Sequence, residues 1–314
     1  MIGQARIDGF EAVTLFSEHE GIAASFVPAA GMVGCSLTHH AGELLGLRHG
    51  LAAYAEQHST MGIPLLYPWA NRLGRERLEV EGREIDLSSH PDCLKLDENG
   101  LPIHGLLTAA SGWEVLRRSP LRRGGLLEAR FDWSAHPQLL ELYPFPHTLT
   151  IEARLEGSRL TITTTIAANG GVAVPVAFGF HPYFSLPGID REQWQVELPV
   201  GEQLLLDGRA LPTGGREPVE LAPAALGERS FDDLYLAPEP DQPFVISGGG
   251  RRIELRMDAA YPYSQLYSPP GAALLAIEPM SAPTNALVSG HYRTVPAGGQ
   301  LRAGFSITVL SEPS

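Results

Sequence analysis

Lysine is almost missing from this chain: Lys95 is the only one among 314 residues. A Schiff-base mechanism would have to use it, yet Lys95 opens a polar stretch reaching Asn99, with no apolar pocket evident to lower its pKa. Arginine must therefore do any cationic binding. Cysteine is as scarce. Cys35 and Cys93 form no CxxC pair, so neither a disulfide framework nor a cysteine-rich zinc site is indicated. Positive charge is short overall: 23 basic against 36 acidic residues give a net charge of −13, which argues against nucleic acid as a partner. No apolar run approaches the ~18 to 20 residues of a membrane span. Met1 to Glu11 also lacks a basic region followed by an apolar one, so we expect a soluble cytoplasmic protein without a membrane partner. GxSxG, HExxH, P-loop and GxGxxG segments are absent too, which removes the commonest hydrolase, metalloprotease and nucleotide-binding readings.

What is abundant is turn-forming. Glycine (34) and proline (26) supply 60 of the 314 residues, against roughly 12% in an ordinary globular chain, while only 19% of residues are charged. With 44% hydrophobic residues the chain can bury a substantial core. Leu127 to Trp133 alternates apolar and polar residues, as does Leu149 to Leu155, the signature of half-buried strands. Glu156-Gly157-Ser158 then turns the chain into the Thr-rich run Leu160 to Ile166, which predicts a hairpin. Ile253 to Met257 and Phe305 to Val309 read as further strands, and Gly248 to Gly250 as a hairpin turn. Helix is expected only at Leu51 to His58 and, more weakly, Pro223 to Arg229. Many short strands without a linker or fixed-period repeat predict one all-β domain over residues 1–314, a large antiparallel β-sandwich.

Five segments place polar groups in apolar surroundings, where polarity is costly unless satisfied or used. The apolar stretch from Gly62 ends in Asn71-Arg72, with Tyr67 and Trp69 before it as candidate stacking faces. Arg72 reads either as a core-edge arginine paired with a carboxylate or as a hydrogen-bond fork for sugar hydroxyls. His104 lies between apolar residues. His181 follows a buried-strand pattern and precedes Pro182, which interrupts ladder pairing, so its imidazole stands at a strand end among aromatics. Glu278 follows five apolar residues, a setting that raises a carboxyl pKa toward that of a working base. The acidic pair Asp232-Asp233 sits between Phe231 and Tyr235.

In order, PLLYPWANR, HG, HPYFSL, SFDDLY and EPMSAPTNAL resemble the aldose 1-epimerase (galactose mutarotase) family over nearly the whole chain. The resemblance implies a β-supersandwich isomerase that interconverts α- and β-anomers of a free aldose, with no metal or organic cofactor and a monosaccharide as its partner. By motif, Glu278 matches the general base and His181 the general acid. Arg72 and His104 match substrate-positioning residues, with Asn71 and Trp69 beside them, and Asp232, rather than Asp233, matches a hydroxyl acceptor. Ser185 stands where the HPYFNL form has asparagine, which leaves the sugar open. The Gly62-Ile63-Pro64 and Pro68-Trp69 elements are also similar to hexose-6-phosphate 1-epimerases, where Arg75 and Arg77 could meet a phosphate. A non-catalytic carbohydrate-binding sandwich and a retaining glycosidase using Glu278 with Asp232 are the remaining alternatives; the latter needs two carboxylates about 5 to 5.5 Å apart.

Overall fold

The computed structural model describes residues 1–40, 42–240 and 242–311. Antiparallel strands dominate them, as the turn-rich composition predicts. The nine-stranded sheet is built on its longest strands. Gly124–Asp132, Thr148–Glu156, Arg159–Ala167 and Gln300–Ser311 lie side by side, and Arg251–Met257 continues the sheet beyond the last. The predicted hairpin is there: Leu155 faces Leu160 and Glu156 faces Arg159 across a turn in which Gly157 takes φ +62°. The two other predicted strands meet one another, with Ile253 opposite Val309, Leu255 opposite Ile307 and Met257 opposite Phe305. Gly249 and Gly250 both take positive φ between Gly248 and Arg251, which makes a two-residue turn of the type that matches strand twist.

An eight-stranded sheet runs from Pro212–Pro218 through Glu202–Leu206, Phe231–Leu236, Tyr263–Ser268 and Leu275–Met280 to Gly179–Phe180 and Leu65–Leu66. Tyr183–Phe184 also pairs with Leu275–Met280. A five-stranded sheet, Ile2 to Glu43, completes the set of larger sheets. One apolar cluster takes Leu15 and Leu37 from the five-stranded sheet, Phe131, Leu149 and Ile162 from the nine-stranded one, and Leu266, Leu275 and Ile277 from the eight-stranded one. Each such side chain contributes about 1.5–3 kcal/mol on burial, so this shared core fixes how the sheets stack.

Two expectations change. The helix over Gly50–Gln57 forms, ending at His58. Pro223 to Arg229 does not: Ala224–Ala225 pairs with Gln195 and Val196 at the edge of the nine-stranded sheet, because ladder hydrogen bonds outweigh a segment without a helical apolar stripe. Trp133 leaves the strand that precedes it and opens a single 3-10 turn, its ring fully buried.

Candidate active site

The strand Leu275–Met280 shows how five apolar residues can deliver a carboxylate. Its alternation sends Leu275 and Ile277 into the shared core. Ala276, Glu278 and Met280 therefore share the opposite face, and register puts Gln265 directly across from Glu278 and Tyr267 across from Ala276. On the next strand Asp232 faces Tyr267, so Asp232, Tyr267 and Glu278 project from one side of the sheet. Both faces of the strand are covered, and Glu278 is only 2% exposed.

On the other side of that strand the ladder is broken. Gly179 pairs with Met280 and Tyr183 with Ala276, while between them the Pro182 carbonyl accepts from the Ile277 amide. Proline cannot donate, and the interruption turns His181 toward Glu278. The closest atoms, His181 Nε2 and Glu278 Oε1, are 3.1 Å apart, and both side chains are buried. Tyr183 stacks on the imidazole at 4.1 Å between ring centroids, and its hydroxyl is 3.1 Å from the same Nε2. That hydroxyl also meets Thr60 Oγ1 at 2.7 Å and accepts from Arg48 at 3.2 Å.

The remaining wall is a loop pair. Tyr67 bridges Gly105 and Arg72 bridges Ile103, while the His104 amide donates to the Asn71 carbonyl. Gly105, at φ +75°, lies so close that a Cβ would overlap the Tyr67 carbonyl, so this approach requires glycine. His104 and Asn71 themselves take left-handed backbone, φ +67° and +55°, an arrangement tolerated where surrounding structure over-determines it. His104 packs edge-on to His181 at 5.5 Å. Arg72 donates from Nε to Asp97 at 2.6 Å, to Asn71 at 3.1 Å and to Glu98 at 3.5 Å. Three of its five N–H groups are thus engaged, which leaves two for a ligand.

These side chains line a cavity of about 270 Å³, at the small end for ligand pockets. Its electrostatics follow from burial. Desolvation, with Asp232 nearby, holds the Glu278 carboxyl well above its ordinary range despite Arg72. Desolvation and Arg48 push His181 well below, and His104 is lowered by burial and by His181. Glu278 Oε2, His181 Nδ1 and His104 Nδ1 have no protein partner among the described residues.

The structure gathers Glu278, His181, His104, Arg72, Asn71 and Asp232 around this one cavity. Trp69 is a correction: it is 1% exposed in the core and off the cavity, because its strand-like segment packs against Ala177. Tyr67 is likewise internal, bonded through its hydroxyl to His147 at 2.6 Å. Arg75 and Arg77 line a different groove with Glu79, Glu84 and Asp86, and Arg77 pairs with Asp86. Ser185 is off the cavity, donating to the Leu45 carbonyl. Lys95 was set aside on sequence, yet it lines the cavity, half-buried, its pKa lowered by burial and by Arg48. Arg48, Thr60, Asp97, Tyr183 and Tyr267 also line the cavity, and the sequence assigns none of them a role. Tyr183 lies inside HPYF and Asp97 inside the polar stretch Lys95 to Asn99.

The antiparallel sandwich has the fold of galactose mutarotase-like structures. The family model described as Aldose 1-epimerase matches residues 34–308, and the chain belongs to that family. Among solved structures, it is similar to a galactose mutarotase-like protein from Clostridium acetobutylicum, with 17% identity, 99% of this chain and 98% of that one covered, and a TM-score of 0.86. It is also similar to galactose 1-epimerase from Lactobacillus acidophilus NCFM, with 14% identity, 100% and 99% coverage and a TM-score of 0.79. At the sequence level it is 25% identical over 238 residues, 72% of this chain and 71% of the other, to the uncharacterized protein YihR of Escherichia coli strain K12. No helix among the described residues is long and apolar enough to cross a membrane.

Proposed function

We propose that the protein is an aldose 1-epimerase that interconverts the α- and β-anomers of a sugar with a free C1 hydroxyl, using Glu278 and His181 as a proton-transferring pair. The observation that carries this reading is their 3.1 Å contact in the cavity. The C1 hydroxyl and the ring oxygen are bonded to the same carbon, so two groups in contact with one another can reach both.

In ring opening, the Glu278 carboxylate takes the proton of the C1 hydroxyl, the C1–O5 bond breaks, and O5 takes a proton from the His181 imidazolium. The product is the open-chain aldehyde, beside a neutral carboxylic acid and a neutral imidazole. Rotation about C1–C2 presents the other face of the aldehyde. Closure then reverses both transfers: O5 returns its proton to His181 as it attacks C1, and Glu278 returns one to the new C1 oxygen. The pair holds one proton when it meets the cyclic sugar and one when it meets the aldehyde. Burial favours the neutral–neutral form, which is the form that faces the open chain. Proton exchange across the contact, with Arg72 stabilising the carboxylate, supplies the charged form that opens the ring.

A purely sugar-binding sandwich is disfavoured by the same geometry. Each buried polar group left without a partner costs about 1–3 kcal/mol, and the cavity keeps three such atoms on ionisable side chains. The test is anomer exchange followed by polarimetry or by proton NMR on freshly dissolved anomers, over a panel of free aldoses. Exchange above the buffer rate that disappears in Glu278→Gln is the expected result; a folded wild-type protein that accelerates no sugar would overturn the reading.

A further inference from the structure

The charged groups around the cavity differ in their partners. Asp97 and Glu98 engage Arg72, and Asp232 accepts from the Gln265 side-chain amide at 2.8 Å. Arg48 and Lys95 have no such partner. Arg48 donates to the Tyr183 hydroxyl and lies over that ring, 5.4 Å from its centroid. Lys95 donates to the His58 carbonyl at 2.7 Å. No carboxylate lies within ion-pair distance of either among the described residues, whereas Arg72 in the same cavity has two. Acidic residues outnumber basic ones, 36 to 23, so two unpaired cations in one cavity do not reflect a shortage of carboxylates.

Their position relative to the reacting atoms says what they would meet. The Tyr183 hydroxyl is 3.1 Å from His181 Nε2 on one side and 3.2 Å from Arg48 on the other, so Arg48 lies one hydroxyl beyond the proposed acid. His181 addresses the ring oxygen, whose two neighbours are C1 and C5. C1 belongs to Glu278, which leaves the substituent on C5 to extend toward Arg48.

We propose that Arg48 and Lys95 form a subsite for an anionic group carried on the C5 substituent, so that the sugar turned over is an acidic aldose bearing a carboxylate, sulfate or phosphate. The proposal rests on the epimerase reading and narrows its substrate class. It also gives the two cations a part in the chemistry. Unliganded, Arg48 and Lys95 both disfavour a charged His181. An anion between them offsets that field and makes the imidazolium easier to form once the correct sugar is bound.

The experiment compares kcat/KM for anomer exchange on glucose, glucuronate, glucose 6-sulfate and glucose 6-phosphate, each corrected for its rate without enzyme. At least one of the three anionic sugars should exceed glucose by tenfold or more, and the order among them identifies the group. In Arg48→Gln and Lys95→Gln that ratio should fall at least about tenfold, and Arg48→Lys should recover part of it, as expected for a charge-assisted contact. Glucose preferred over all three anions, or a ratio that neither variant moves, overturns the subsite and leaves the epimerase intact. If no sugar exchanges, the epimerase reading fails. The subsite is then judged by calorimetric binding of glucose 6-sulfate and glucuronate to wild type and Arg48→Gln, where a shared absence of binding would overturn it as well.

Discussion

The two large sheets share a core but are built differently. In the nine-stranded sheet, Gly124–Asp132, Thr148–Glu156 and Arg159–Ala167 are unbroken nine-residue strands in continuous register. Their inward residues are apolar apart from Thr164, and the ionisable residues Glu128, Arg130, Glu152 and Arg154 point outward. In the eight-stranded sheet the central strand pairs on one side with two-residue fragments separated by His181 and Pro182. There Glu278 and Gln265 are buried side by side. Regular ladders satisfy every backbone group and leave no reason to bury charge. Interrupted ladders free a side chain to turn into a cavity, and the surrounding packing must hold it there.

The widest separation between the two sheets should come from a single change in each. Glu278→Gln keeps volume and removes the proton acceptor, so anomer exchange should fall at least about 10²-fold with sugar affinity changed little. Phe131→Ala, in the fully buried face of the regular sheet, should leave kcat/KM per folded molecule near wild type but cost about 3–5 kcal/mol in denaturant unfolding. Exchange close to normal in Glu278→Gln, or a specific loss of kcat/KM in folded Phe131→Ala, would erase the distinction between a chemical and a structural sheet.

Legibility in the sequence followed the same division. Five of the nine strands of the regular sheet could be read from alternation, with the turns at Glu156-Gly157-Ser158 and Gly248 to Gly250, because period-two patterns and turn residues are local signals. The broken sheet could not: two-residue strands such as Leu65–Leu66 carry no period. Glu278 and His181 still stood out, as ionisable groups embedded in apolar runs. Arg48, Thr60 and Tyr267 did not, since each sits in an ordinary polar context and becomes part of the cavity only through long-range packing. Trp69 failed for the opposite reason. An aromatic beside Asn71-Arg72 looks like a stacking face, but alternation turns it into the core.

The protonation of the pair offers a smaller and sharper contrast. His181 is surrounded by Glu278, His104, Tyr183, Tyr267, Arg48 and Lys95, and is held neutral well below its ordinary range, while Glu278 keeps its proton well above the ordinary carboxyl range. In the proposed mechanism the active pair holds one proton, so the acid limb of kcat/KM marks entry of a second proton and the alkaline limb marks loss of the only one. The acid limb should therefore lie below about 6.5 and the alkaline limb above about 4.3, the values of free histidine and glutamate. An alkaline limb at or below about pH 4.3 would contradict this. Stability carries the same signs. As pH falls below about 6.5 the unfolded chain protonates His181 and the native state does not, which destabilises the fold. As pH rises above about 4.3 the unfolded chain ionises Glu278 while the native state must keep it neutral, which destabilises it again. Glu278→Gln removes the second effect, so its melting temperature at pH 7 should exceed wild type, with the difference vanishing near pH 4.

The finest version of the comparison lies within one strand. Asp232 and Asp233 are neighbours on Phe231–Leu236 and so project from opposite faces: Asp232 lines the cavity, while Asp233 accepts from the Gln203 side chain at 2.9 Å. Partial burial raises the Asp233 carboxyl above its ordinary value, with Asp232 adding to the effect. A carboxyl raised in the native state stabilises the fold below its unfolded pKa of about 3.9, and that contribution is lost as pH rises through the native value. Asp233→Asn keeps an acceptor for Gln203 and removes the charge. It should leave kcat/KM unchanged and shift stability at pH 7 upward by no more than about 0.5 kcal/mol, with no gain near pH 3.5. Asp232→Asn should act on the other quantity. Removing the charge that helps hold Glu278 protonated moves the alkaline limb of kcat/KM to lower pH. If Asp233→Asn moved that limb as far as Asp232→Asn, the strand would not divide its two carboxylates between chemistry and packing, and the assignment of Asp232 to the cavity would have to be withdrawn.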